Sequence, residues 1–94
     1  MKRLDLIMSE LELEKVLQAI RAAGAPGYSV TRHVTGRGSS GDVVSESMEF
    51  SGLGANAHVI VFCDAATIEK LRPAIRSILD YYGGVAFVAD AEPL

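Results

Sequence analysis

Ala55-Asn56-Ala57-His58-Val59-Ile60-Val61-Phe62-Cys63, followed by Asp64, decides how the rest of this 94-residue chain is read. Successive side chains of a strand point to opposite faces. Ala57, Val59, Val61 and Cys63 therefore share one face, and His58, Ile60 and Phe62 share the other. Apolar residues on both faces mark a central strand. Asp64 is a favoured N-cap residue. Beyond it Ile68, Leu71, Ile75, Ile78, Leu79 and Tyr82 recur at helical spacing. Pro73 interrupts that stripe and removes one helical hydrogen bond, so the helix either bends there or starts later. Gly83-Gly84 ends it, Val85 to Val88 reads as a short last strand, and residues 90–94 form a tail.

Upstream, Lys2 to Met8 alternates with Leu4, Leu6 and Met8 on one face, which predicts a first strand. Ser9 stands three residues before Glu12, the spacing of a capping box. Leu13, Val16, Leu17, Ile20 and Ala23 then form one helical stripe, and Glu10, Glu12 and Glu14 suit the positive end of a helix dipole. A helix is expected from about Glu10 to Ala23, stopped by Gly24 and Pro26. Gly27 to Thr35 alternates again, with Tyr28, Val30, Arg32 and Val34 opposing Ser29, Thr31 and His33. Residues 36–54 differ in kind, holding five glycines and five serines. So long a connection in so small a domain is usually functional or disordered. Val43-Val44 and Met48-Glu49-Phe50 are candidates for a transient hairpin within it.

The order strand, helix, strand, strand, helix, strand predicts an α+β fold of the ferredoxin-like βαββαβ type. Residues 1–94 would form one domain: a four-stranded antiparallel sheet with two helices on one face and a long loop between strands 2 and 3. Strands apolar on both sides leave a second sheet face to cover, which predicts a homo-oligomer.

Composition narrows the function. The formal net charge is −3, which argues against a nucleic-acid binder, since such proteins usually present a basic face. Cys63 is the single cysteine, so neither an internal disulfide nor a cysteine-rich metal site is expected. No apolar run reaches the length of a membrane span, and Met1 to Met8 does not read as a secretory leader. A soluble cytoplasmic protein is the expectation.

Few stretches could carry chemistry. Gly36-Arg37-Gly38-Ser39-Ser40-Gly41 reads either as a phosphate-cradling turn, with backbone N–H groups, serine donors and one cation, or as a plain polar loop. Neither the Walker nor the GxGxxG spacing is present, so pattern alone leaves the plain loop the simpler choice. Tyr81-Tyr82-Gly83-Gly84 reads either as a turn with an aromatic wall against a ligand, or as a helix C-cap with Tyr82 in the core. His33 and His58 lie on different strands and are expected to be surface residues. Cys63 is expected to be inert core. No nucleophile elbow or metal-ligand spacing is found, so no catalytic and no metal residues are assigned.

Taken in order, three motifs resemble the PII signalling superfamily, and most closely its PII-like SbtB and carboxysome-associated branch. Gly24-Ala25-Pro26-Gly27-Tyr28-Ser29-Val30 is similar to the family's approach to strand 2. Gly36-Arg37-Gly38-Ser39 is similar to the base of its T-loop. Asp80-Tyr81-Tyr82-Gly83-Gly84-Val85-Ala86-Phe87-Val88 through Ala91-Glu92-Pro93-Leu94 is similar to the SbtB-type ending.

The resemblance implies a homotrimer with adenine nucleotide in the clefts between subunits, acting on a partner such as a bicarbonate transporter or carboxysome-related protein. Carried over, Gly27 and Ser29 would lie near the adenine, Gly36, Arg37, Gly38 and Ser39 near the phosphates, and Gly83 and Gly84 in the opposing B-loop. The T-loop lacks the tyrosine that typical PII proteins have uridylylated. Through Leu94 there is no counterpart of their ATP-binding basic residues, so AMP, ADP or cyclic AMP is expected over ATP, with bicarbonate a further candidate ligand. The rival readings are another ferredoxin-like ligand module, of the ACT or metal-tolerance type, and a small ferredoxin-like enzyme.

Overall fold

Alternation in the first and third long strands is realised as one buried face. A computed structural model describes residues 1–38, 41–43 and 55–94. The elements are β1 (Lys2–Ser9), a 3-10 turn (Glu10–Glu12), α1 (Leu13–Ala22), β2 (Ser29–Val34), β3 (Gly36–Gly38), β4 (Gly41–Val43), β5 (Asn56–Cys63), α2 (Ala65–Tyr82) and β6 (Val85–Asp90). Four strands form one antiparallel sheet in the order β2-β5-β1-β6. This is the expected ferredoxin-like arrangement, and β5 and β1 are its central strands.

Leu4, Leu6 and Met8 of β1 and Ala57, Val59, Val61 and Cys63 of β5 are all buried. They meet Leu13, Val16, Leu17 and Ile20 of α1 and Ile68, Leu71 and Ile75 of α2 in one core cluster. Both helices thus cover the same sheet face. Each large apolar side chain buried this way contributes about 1.5–3 kcal/mol.

The ends of the helices differ in detail from the sequence reading. Ser9 Oγ accepts the Leu11 N–H at 3.2 Å, while the Glu12 carboxylate turns to Lys15 Nζ at 3.1 Å. The capping box does not close, and the first turn is wound as 3-10 before α1 begins. Asp64 caps α2 as expected, accepting the Thr67 N–H at 2.8 Å. The helix runs through Pro73 to Tyr82 without a later start. Pro73 is exposed, so its ring sits away from the core. Tyr82 is not a core residue but is 44 % exposed.

β2 begins at Ser29 and carries an extra residue between Thr31 and Val34, where its pairing with β5 shifts. His33, inside this bulge, has φ 58°. The bulge turns Val34 to the face opposite that of Val30, against the simple alternation. A second departure is the ribbon of β3 and β4, pairing Gly36 with Val43, Arg37 with Asp42 and Gly38 with Gly41. The sequence pattern there predicts a long loop, with Val43-Val44 and Met48-Glu49-Phe50 as the candidate hairpin. Of that hairpin, Val44 and Met48-Glu49-Phe50 lie outside the described residues.

The uncovered sheet face is mixed rather than wholly apolar. Strand registry puts Ile7, Ile60, Phe62, Val85 and Phe87 there together with Arg3, Asp5 and His58.

Candidate functional site

The end of the sheet where β1 stops gathers most of the predicted ligand residues. There β2 leaves through its bulge into the β3–β4 ribbon, and α2 turns through Gly83-Gly84 into β6. Gly83, at φ 90°, caps α2 by donating its N–H to the Leu79 carbonyl at 2.8 Å. Gly84, at φ 116°, is packed hard against β1. A Cβ there would stand 2.8 Å from the Ile7 carbonyl oxygen and 3.0 Å from Met8 Cβ. Only glycine fits both the backbone angle and the space.

Gly36–Gly38 and Gly83–Gly84 lie at the same end of the sheet but on its two outer strands. Three strand spacings separate those strands, roughly 14 Å. Gly27 and Ser29 lie toward the other end of β2. Ser29 is opposite Ile60 on the uncovered face, and Gly27 is exposed with open space about it. Arg37 is exposed in the glycine ribbon. Ser39 lies outside the described residues. One chain therefore brings two glycine turns to one end without closing a single pocket around all the predicted residues. A groove of roughly 350 Å³ between α2 and β6 includes Gly84 and none of the others.

The aromatic pair beside Gly83 is exposed. Tyr81 and Tyr82 make an edge-on contact with centroids 4.6 Å apart, and Lys15 Nζ lies 5.0 Å above the Tyr82 ring. This joins the start of α1 to the end of α2. Among the described residues no group of three or more His, Cys, Asp or Glu is placed to hold a metal ion, and no helix is long and apolar enough to cross a membrane.

Two charged clusters complete the picture. On the uncovered face Asp5 accepts two hydrogen bonds from the Arg3 guanidinium, at 2.7 and 3.0 Å, and meets His58 Nε2 at 2.9 Å. The Arg3 hydrogen bond holds the Asp5 carboxyl down at about 2. Beside the bulge, Glu10 Oε2 accepts the His33 N–H at 3.1 Å. The same carboxylate lies 3.3 Å from His33 Nδ1 and 3.9 Å from Arg32 Nη1. Cys63 is buried, and burial pushes its thiol up.

The sequence profile of the family described as nitrogen regulatory protein P-II matches residues 1–94. The chain belongs to the P-II family. Similar solved structures share the fold of this P-II family chain. One is CPII, a nitrogen regulatory PII-like protein from Thiomonas intermedia K12 bound to ADP, AMP and bicarbonate, with TM-score 0.81 and 23% identity over 94% of this chain and 82% of that one. CPII bound to ADP and bicarbonate gives the same values. The apo form of CPII matches with TM-score 0.73 and 19% identity over 94% and 85%. No curated protein sequence matches the chain.

Within this P-II family chain, sequence reasoning missed Glu10 and His33 as partners. By sequence Glu10 is only one of the acidic residues that favour the helix dipole. Its contact with His33 spans 23 residues, and no local spacing announces it. His58, expected at the surface, is a half-buried partner of Asp5.

Proposed function

We propose that residues 1–94 are a single PII-like domain that works by binding an adenine nucleotide and a protein partner rather than by catalysis. It assembles as a homotrimer in the cytoplasm. AMP or ADP, or cyclic AMP, binds in the clefts between subunits in preference to ATP, and the response is tied to bicarbonate or inorganic-carbon metabolism.

The observation that carries this reading is the arrival of Gly36-Arg37-Gly38 and Gly83-Gly84 at one end of the sheet, on its opposite edges. A second subunit that sets the edge of one sheet near the edge of another would bring the two turns around one ligand. Backbone N–H groups and Arg37 would then meet the phosphates, and Gly27 and Ser29 along β2 would lie on the adenine side. Binding of ADP, AMP and bicarbonate by CPII supports this choice of ligands. The P-II family itself supports a regulatory role.

Calorimetric titration with AMP, ADP, ATP and cyclic AMP, each with and without bicarbonate, tests the ligand. AMP, ADP or cyclic AMP should bind more tightly than ATP. Sedimentation equilibrium at micromolar concentration tests the assembly, with an expected mass about three times the 10.0 kDa of the chain. A monomer that binds no nucleotide would overturn the reading.

A further inference from the structure

The end of β1 and the first residue of the 3-10 turn after it, residues 7 to 10, touch both flanks of the proposed phosphate side. Ile7 and Met8 form the surface on which Gly84 rests, leaving no room for a Cβ. Two residues on, Glu10 reaches the other side. Its main-chain N–H donates to the Ala55 carbonyl at 3.0 Å. Its side-chain Oε2 accepts the His33 N–H at 3.1 Å. Ala55 follows residues 36–54 in the chain and His33 stands just before them, so one residue ties down both flanks of that segment.

The carboxylate is committed to this task. It is 12 % exposed, and a group so sheltered needs partners for its charge. Those partners are the His33 N–H, the His33 ring and the Arg32 guanidinium. His33 in turn needs holding, because a non-glycine residue at positive φ persists only where its surroundings impose it. Beyond the bulge, Val34 pairs with Asn56 of β5 and only Thr35 separates it from Gly36. The register restored at Val34 after the bulge therefore sets where Gly36-Arg37-Gly38 leaves the sheet.

We infer that Glu10 is a positioning residue for nucleotide phosphate: by holding the β2 bulge through the His33 N–H, it fixes the path of Gly36-Arg37-Gly38, the turn that one subunit presents to the partner subunit's Gly84. The inference rests on the nucleotide-binding reading above. It is separable from it, because the clasp can be measured without ligand.

The test uses the full chain with Glu10→Ala and Glu10→Gln. A glutamine carbonyl still accepts the His33 N–H but carries no charge. ADP and adenosine are the probes, since adenosine has no phosphate. Glu10→Ala should weaken ADP binding about tenfold or more and leave adenosine binding within about twofold, and Glu10→Gln should recover most of the ADP affinity. Unchanged ADP affinity in Glu10→Ala overturns the inference. Equal losses for ADP and adenosine also overturn it, since they mark a general loss of structure. An ADP loss in Glu10→Gln as large as in Glu10→Ala overturns the hydrogen bond as the cause.

Amide hydrogen exchange in the ligand-free protein is the second arm. In Glu10→Ala it should accelerate at His33 and residues 36–38 and not at Gly84. If the parent chain binds neither probe, the functional reading fails. The clasp is then decided by exchange alone: local acceleration sustains it, and unchanged exchange rejects it.

Discussion

Asp5 and His58 are joined on a diagonal: Asp5 Oδ2 lies 2.9 Å from His58 Nε2, although Asp5 pairs across the sheet with Ile60 and His58 with Ile7. Diagonal neighbours on one face are within reach when a side chain is long enough. The result is an Arg3–Asp5–His58 chain on the face the helices leave uncovered, among Ile7, Ile60 and Phe62. Arg3 also lies 5.7 Å above the Phe62 ring.

This relationship sets an acid limit on stability. The Asp5 carboxyl is held at about 2, below its ordinary 3.8, first by the hydrogen bond from Arg3 and also by His58. A depressed folded-state value stabilises the fold above the unfolded value and is lost as pH falls through the folded one. The contribution is full well above pH 3.8 and disappears between there and about pH 2. Solvent reduces it to on the order of 1 kcal/mol. Asp5→Asn should cost that much at pH 7 in urea denaturation and should flatten the loss of stability between pH 4 and pH 2. An acid limb as steep as the parent's would show that Asp5 is not its source.

Gly83 and Gly84 should respond differently to alanine. Both have positive φ, and an L-residue there costs about 1–2 kcal/mol. Gly83 has open space for a Cβ, whereas at Gly84 the Ile7 carbonyl oxygen would stand 2.8 Å away. Overpacking adds about 1–3 kcal/mol more. Denaturant midpoints should therefore place Gly84→Ala well below Gly83→Ala. Equal costs would contradict the close packing of this turn on β1.

The bulge at His33 makes a prediction of sign. At φ 58°, valine is strained by its β-branch, and glycine is not. His33→Val should lose about 1–2 kcal/mol, whereas His33→Gly should lose little, since relief of strain offsets the lost ring contact with Glu10. Thermal or urea unfolding of the two variants checks this. A valine variant as stable as the glycine one would exclude the left-handed bulge.

Arg37 is the cation within the glycine ribbon and the proposed charged contact to phosphate. A hydrogen bond to a charged group contributes about 1.5–3 kcal/mol. Arg37→Ala should weaken ADP binding by roughly tenfold to a hundredfold and leave adenosine binding nearly unchanged. Intact ADP affinity would move the assignment to the backbone amides of Gly36 to Gly38 and Gly83-Gly84.

Much of the fold was legible because it rests on short-range patterns. Leu4, Leu6 and Met8, or Ala57, Val59 and Val61, share a face by the geometry of the strand itself. Asp64 caps α2 because its carboxylate reaches an N–H three residues on. The errors fall where one local preference meets a longer-range one. Ser9 and Glu12 have capping-box spacing, but Glu12 finds Lys15 and the turn tightens to 3-10. Pro73 breaks the usual helical rule on an exposed position, where losing one hydrogen bond is offset by the packing of Ile68, Leu71 and Ile75 on the other side.

For the site, the glycines at 36, 38, 83 and 84 were legible through the family resemblance, and at Gly83 and Gly84 the residue type also follows from positive φ and, at Gly84, from close packing on β1. The sequence by itself determined the order of the four main strands and two helices, the buried faces of β1 and β5 and the glycine-rich stretches, because these depend on period and on residues a few positions apart. Only the tertiary structure decided that His33 bends β2, that Glu10 holds it and Ala55 together, that Asp5 meets His58 on a diagonal, and that Gly84 rests on Ile7. Those contacts join segments far apart in the chain, and their partners are chosen by strand registry and packing, which no local spacing encodes.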